Sequence, residues 1–286
     1  MTVRPRRSVL YVPGSNARAI EKAVTLDADV ILIDLEDAVA PAAKDEARAN
    51  TLSAVRSGAF RDKELAVRIN GLDTAEAASD LAVAALADAV VVPKVGTPED
   101  IGRVRAGLAA LDQATTPVWA MIETPMAILN LAGIAATAAG EGAPLTCFVL
   151  GTNDLAKDLR LQVTASRFSL LPCLSQAVIA ARAYGIDVLD GVFNALRDTE
   201  GFAAECRQGR GLGFDGKTLI HPAQIALANE IFGPGEVEIA EATAIVEAFA
   251  RPENAGKGVI TVHGRMTERL HLAMAERTLA LAAGRQ

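Results

Sequence analysis

The sequence is poor in the residues that mark several large functional classes. It holds only three cysteines and three histidines in 286 residues. Cys147, Cys173 and Cys206 are odd in number and far apart, with no CxxC pair and no histidine cluster nearby. That excludes a disulfide framework and a structural zinc site, and leaves the thiols as reduced packing residues. Aromatic residues make up 4% of the chain, so the lone Trp119 and Tyr184 read as core rather than as a stacking platform. No apolar run approaches the roughly 20 residues of a membrane helix, and MTVRPRRSVLYVPG lacks the apolar stretch of a secretion signal. A cytoplasmic protein without a membrane partner is therefore expected. Positive charge is also scarce: 28 Lys and Arg stand against 35 Asp and Glu, a formal charge of −7. That balance argues against nucleic acid as a partner, because phosphate contacts need clustered cations. One basic cluster, Arg4, Arg6 and Arg7, is either a solvated terminus or a local anion site for a nucleotide-like tail.

What the chain does have is aliphatic. Hydrophobic residues make up 51% of it, enough for a large core. Eight short β-branched runs recur at 8–13, 30–36, 65–70, 89–94, 118–124, 147–154, 186–193 and 217–222. Ala-rich stretches between them, such as NARAIEKAVTL and PEDIGRVRAGLAALD, repeat apolar residues at helical spacing. Nearly continuous hydrophobic strands belong to parallel sheets covered on both faces, and eight β-then-α units predict a (β/α)8 TIM barrel over residues 1–232. An open doubly wound sheet is the alternative. Against it, polar residues gather at the C-terminal ends of the runs, as in Glu36, Asp37, Arg68, Asn70, Lys94, Glu123, Asn153 and Asp154. A closed barrel brings such ends to one mouth. Residues 233–286 form a helical extension that must cover something, its own barrel or a neighbouring subunit.

Two matches near the end mislead. GLGFDGKT at 211–218 fits the phosphate-loop pattern, and GLGFDG fits the dinucleotide pattern. Both motifs need a strand before the glycines and a helix after them. Here a helical segment precedes and the strand KTLIHP follows, so neither nucleotide chemistry is expected.

The residues with chemical promise lie at the predicted mouth. Glu123 and Asp154 end neighbouring runs, and two carboxylates brought together repel unless a cation separates them. Oxygen-only ligands suit Mg2+ or Mn2+; capping or salt-bridged acids are the plainer reading. Arg68, in VRIN, either grips a substrate carboxylate with two parallel hydrogen bonds or neutralises Glu36 or Asp37 next door. Glu36, more than Asp37, is a candidate to orient Arg68 or relay protons, while Asp37 equally suits a helix start. His221, His263 and His271 form no metal-binding spacing, and His221 reads as structural.

These elements together resemble the citrate lyase β-subunit-like family, which includes malyl-CoA, citramalyl-CoA and citryl lyases. The matching segments are RRSVLYVPGS (6–15), DLEDAV (34–39), KDEAR (44–48), VRIN (67–70), PK (93–94), ET (123–124), GTNDLAKDL (151–159), DGVF (190–193), GFDGKTLIHPAQI (213–225) and GRM (264–266). The resemblance implies a barrel whose C-terminal segment reaches a neighbouring subunit in a homotrimer or homohexamer. It makes Glu123 and Asp154 magnesium ligands, Arg68 the substrate anchor, and Arg7 and Tyr11 candidate contacts for coenzyme A near the LYVPG loop. It also places an acid, Glu268, in the terminal segment as a proton donor. The implied reaction is metal-dependent carbon–carbon cleavage of a 2-hydroxyacyl-CoA to a 2-oxo acid and an acyl-CoA. A pyruvate-type aldolase acting on a free hydroxy acid and a non-catalytic subunit that binds acyl-CoA or an acyl carrier are the alternatives.

Overall fold

A computed structural model describes residues 4–140 and 144–284. Its first compact unit, Arg6–Ala228, is a closed barrel of eight parallel strands in sequence order. The strands are β1 (Ser8–Pro13), β2 (Val30–Asp34), β3 (Glu64–Arg68), β4 (Ala89–Val92), β5 (Val118–Ile122), β6 (Leu145–Leu150), β7 (Asp187–Asp190) and β8 (Gly216–Leu219). Each pairs with the next, and β8 closes on β1 through Ser8 opposite Lys217. The period-two alternation of a strand explains why the runs read as continuously apolar. Val9, Val30, Leu32, Ala66, Val91, Trp119, Met121 and Val149 fill the lumen. Their neighbours Leu10, Ile31, Ile33, Val67, Val90 and Val92 are buried on the other face. At about 1.5–3 kcal/mol for each large aliphatic side chain, burial on both faces makes the barrel the stiff part of the molecule.

The strands are shorter than the runs in the sequence. Pairing stops at Asp34, Arg68, Val92, Ile122 and Leu150, so the polar residues that follow lie in the loops of the mouth. The opposite end is closed by Arg6. Its guanidinium stacks on Trp119 at 4.7 Å and reaches Glu64 (2.7 Å) at the start of β3 and Asp187 (2.6 Å) at the start of β7. Those two strands face each other across the barrel, so one side chain spans its diameter.

The phosphate-loop match is structural. The helix Thr199–Leu212 precedes it and β8 follows, and Lys217 is fully buried on the outer face of β8. Its ammonium meets Asp190 at 3.0 Å and Glu205 at 2.7 Å, while Arg167 holds the same Asp190 at 2.8 Å. Burial alone would raise the Asp190 carboxyl; Lys217 and Arg167 outweigh it and hold the group below its ordinary value. The three cysteines are buried and unpaired.

A second compact unit holds the described residues from Asn229 onward, with Arg4 and Pro5. The helix Ile225–Phe232, placed by the sequence at the end of the barrel domain, spans the division. The helices Glu236–Ala250 and Arg269–Ala283 flank a hairpin of β9 (Val259–Val262) and β10 (Arg265–Glu268). Its turn is His263 and Gly264, both with positive φ (49° and 77°), as a tight two-residue hairpin requires. Ile260 and Val262 from the hairpin pack with Ala248, Ile245 and Phe249.

Candidate active site at the barrel mouth

The mouth is built by alternation. Leu32 and Ala66 point into the lumen, so Asp34 and Arg68, two residues further on, do so as well, and the register sets them opposite each other. Arg68 donates from Nε to Asp34 Oδ1 (2.7 Å) and from Nη2 to Asp34 Oδ2 (2.6 Å). Nη1 lies 2.8 Å from Glu36 Oε2, 3.2 Å from Asp37 Oδ2 and 3.8 Å from the sulfur of Met121. The ring of Tyr11 lies 5.1 Å from the guanidinium carbon. The Nε edge of Arg68 is therefore taken up by Asp34, while Nη1 at the outer end is shared by Glu36, Asp37 and Met121 on a residue that lines the cavity. Arg68 is thus neutralised by Asp34, Glu36 and Asp37, and it lines the cavity.

Glu36 and Asp37 differ in environment. The Glu36 side chain is 9% exposed and that of Asp37 is 59% exposed. Burial raises the Glu36 carboxyl, with Arg68 opposing it. Its contact to Arg68 is close but poorly angled, so buried Oε2 receives no hydrogen bond. Its Oε1 lies 3.3 Å from the ammonium of Lys94. A scaffold behind the loop accounts for the KDEAR and VRIN motifs. Lys44 donates to the carbonyls of Leu35 (2.6 Å) and Glu36 (2.7 Å) and to Asn70 (2.8 Å). Asn70 is gripped by Asp80, which Arg48 also contacts.

Glu123 follows β5 and is 1% exposed. Lys94, held at φ 54°, presents its backbone N–H to Glu123 Oε1 at 2.7 Å. A left-handed lysine is uncommon and concentrates at functional sites. Burial pushes the Glu123 carboxyl up to about 7; the charges of Glu36 and Asp154 add to the rise, while the Lys94 amide and Arg68 oppose it. Asp154 sits in the first turn of the helix Thr152–Asp158, not at the end of a strand as the sequence suggests. Gly151 separates the two acids: a Cβ there would fall 2.3 Å from Glu123 Oε2, so only glycine allows β6 to pass.

Tyr11, Asp34, Asp37, Arg68, Met121, Glu123 and Asp154 line one cavity of about 310 Å³. An adjoining cavity of about 540 Å³ shares Asp37 and is lined by Glu36, Lys94, Lys44 and Asn70. Three cations, Arg68, Lys94 and Lys44, thus share the linings of these two cavities with seven carboxylates. A divalent cation fits this set. The donors are oxygens, and Glu123 is already strained toward protonation by its surroundings. Among the described residues no third acid, histidine or cysteine completes a cage, so several positions of a six-coordinate ion would fall to substrate and water.

Arg7 precedes β1 and is locked to Asp29 by two side-chain bonds (2.8 and 2.6 Å), at the strand-start end of the barrel. It does not share the mouth with Tyr11, which corrects its assignment as a contact there. Glu268 belongs to the C-terminal unit, where its backbone N–H donates to His271 Nδ1 at 2.9 Å. His221 accepts the amide of Ala223 through Nδ1, a structural cap. The residue sequence reasoning missed is Asp34; counting two back from Glu36 along an inward-pointing β2 would have found it.

Residues 7–222 match the HpcH/HpaI aldolase/citrate lyase family. The chain belongs to this family. Among curated members, it is 45% identical over 280 residues to the (3S)-malyl-CoA thioesterase of Cereibacter sphaeroides, covering 97% of this chain and 95% of that one. It is 33% identical over 273 residues to the citrate lyase subunit beta of Escherichia coli, covering 93% and 89%. The barrel also matches a solved family structure, the protein CitE from Mycobacterium tuberculosis in complex with magnesium, acetoacetate and coenzyme A. That match has a TM-score of 0.76 and 28% identity, over 98% of this chain and all of the other. The family frame agrees with the fold, and the structure of that relative holds magnesium.

Proposed function

We propose that this protein is a magnesium-dependent carbon–carbon lyase that cleaves the CoA thioester of a 2-hydroxy acid, of the malyl, citramalyl or citryl type, in which the hydroxyl lies β to the thioester. The observation that carries the reading is the joint placement of Glu123, Asp154 and Arg68 on one cavity. Glu123 and Asp154 would hold the ion, Mg2+ or alternatively Mn2+. When bound, it supplies Lewis acidity toward the carboxylate and hydroxyl oxygens of the substrate. Arg68 binds the carboxylate with its outer edge and fixes the C2–C3 bond in the cavity. The hydroxyl proton leaves to a carboxylate, C2 becomes the carbonyl of a 2-oxo acid, and the electron pair of the broken bond forms a thioester enolate. Glu36, whose pKa burial raises, would return a proton to the enolate carbon. Glu268 from a second copy is the alternative donor, with Asp37 as a more exposed relay. The region 233–286 reads as the extension that reaches a neighbouring subunit in a homotrimer or homohexamer. Its exposed Val237, Met266, Leu270 and Met274 support self-association.

A second reading is favoured by the relative named malyl-CoA thioesterase. In it the same site orients water onto the thioester carbonyl, the carbon–sulfur bond breaks, and the thiol leaves protonated. Malyl-CoA with Mg2+ separates the two: cleavage releases glyoxylate and no thiol, whereas hydrolysis releases free coenzyme A and no 2-oxo acid. Turnover of free hydroxy acid alone would favour the aldolase. If neither product appears with malyl-, citramalyl- or citryl-CoA, or if Glu123→Ala and Arg68→Ala both keep full activity, the assignment fails.

A further inference from the structure

Asp34 has no place in the chemistry above, yet it is the most constrained acid of the mouth. It is 1% exposed, and each of its oxygens accepts two hydrogen bonds. Oδ1 takes Arg68 Nε (2.7 Å) and the amide of Glu36 (2.9 Å); Oδ2 takes Arg68 Nη2 (2.6 Å) and the amide of Ala38 (2.9 Å). One carboxylate therefore ties the guanidinium to the loop that carries Glu36 and Asp37. We propose that Asp34 is the positioning residue for Arg68, selecting which edge of the guanidinium the substrate meets; this rests on the reading of Arg68 as carboxylate anchor.

The reasoning is geometric. Arginine can present either its side edge, Nε with one Nη, or its outer end, Nη1 with Nη2, and a planar fork on the side edge removes the first option. Tyr11 covers one face of the plane but contributes no hydrogen bond to Arg68 that would fix its rotation within that plane; the phenol points to the Met121 sulfur. Glu36 and Asp37 touch only Nη1, and Asp37 is exposed enough to move aside. With Asp34 in place, Nη1 stays directed at the cavity whichever of those acids is displaced. Without it, the side edge is released and the guanidinium can rotate toward Glu36, which Nη1 already touches at 2.8 Å, so the substrate loses its anchor although Arg68 is still present. Because the Asp34 carboxylate is also held by two backbone amides, it forms a preorganised cation site even when the arginine side chain is removed.

That last property supplies the test. Asp34→Asn keeps the shape and removes the charge. It should raise KM for malyl-CoA about 10- to 100-fold, the range of a lost charge-assisted hydrogen bond, with a smaller change in kcat. Magnesium-dependent binding of pyruvate, a 2-oxo acid of the product class, should weaken by a similar factor in calorimetry, without any turnover. Ethylguanidinium added to Arg68→Ala should be captured by Asp34 and restore activity and pyruvate binding at least tenfold. It should restore neither in the Asp34→Asn/Arg68→Ala pair. Circular dichroism and thermal melts confirm that each variant is folded. The inference is overturned by an unchanged KM in folded Asp34→Asn, by rescue that ignores Asp34, or by no rescue in Arg68→Ala. An Arg68→Ala variant with the parent KM and pyruvate affinity would instead overturn the anchor assignment itself.

Discussion

The Glu123 carboxyl gives a stability test with a definite sign. In the folded chain it is held at about 7 against an ordinary value of 4.5, chiefly by burial. The native state therefore keeps a proton on Glu123 between pH 4.5 and 7 that the unfolded chain has released. Where the native state binds more protons, stability falls as pH rises, and the loss is complete above about pH 7. Converted at about 1.4 kcal/mol per pH unit, the metal-free protein is about 3 kcal/mol less stable at pH 8 than a neutral residue at this position would leave it. For a chain of this size that is roughly 6 °C in melting temperature. Glu123→Gln carries no such charge, so in EDTA the melting temperature of the parent should drop from pH 5 to 8 by about that much relative to the variant. Magnesium should reverse the drop at pH 8. It should do little at pH 5, where the ion must displace a proton and its affinity is roughly 100-fold lower. Differential scanning fluorimetry of both proteins at pH 5, 6, 7 and 8, with EDTA and with Mg2+, reads all of this. Parallel curves for parent and variant in EDTA, or equal magnesium stabilisation of the parent at pH 5 and 8, would refute the reasoning.

Two further substitutions probe separate parts of the structure. Gly151 has φ −92°, so alanine brings no backbone strain, but its Cβ would lie 2.3 Å from one Glu123 oxygen and 2.4 Å from its Cβ. Gly151→Ala should weaken Mg2+ binding about 10- to 100-fold by calorimetry, from an overpacking cost of roughly 1–3 kcal/mol; parent affinity would show that Glu123 is not a ligand. Lys217→Met leaves Asp190 and Glu205 with Arg167 alone behind β8, and should cost about 3–5 kcal/mol in urea unfolding. Its Mg2+ affinity should stay at the parent level, because Lys217 lies on the outer face of the sheet; a large affinity loss would contradict that placement.

The barrel was legible because its signal is redundant: eight runs, each apolar on both faces, separated by helical periods. Polar residues at or just past a strand end were legible for the same reason, since pairing stops where the apolar run stops, as at Arg68, the last residue of β3, and Glu123 after β5. Asp154 was placed by spacing alone, and its position in a helical first turn was not visible, because GTND suits a strand end and a helix start alike. Asp34 was hidden by its neighbours: DLED offers three acids in four positions, and only the register with β3 shows which of them meets the arginine. The misplacement of Arg7 was avoidable. It comes before the first strand, and in a parallel barrel strand starts and strand ends lie at opposite poles. Side-chain fate within the GKT match could not be read, because the partner of Lys217 is Asp190, 27 residues away.

Arg6 braces the vessel like a tie rod between two opposed staves, β3 and β7, with Trp119 as its seat. The base of the barrel is thus filled by a paired cation rather than by apolar side chains alone. A cross-section pinned at the base also resists flattening, which leaves any breathing of the catalytic end to its loops rather than to the wall.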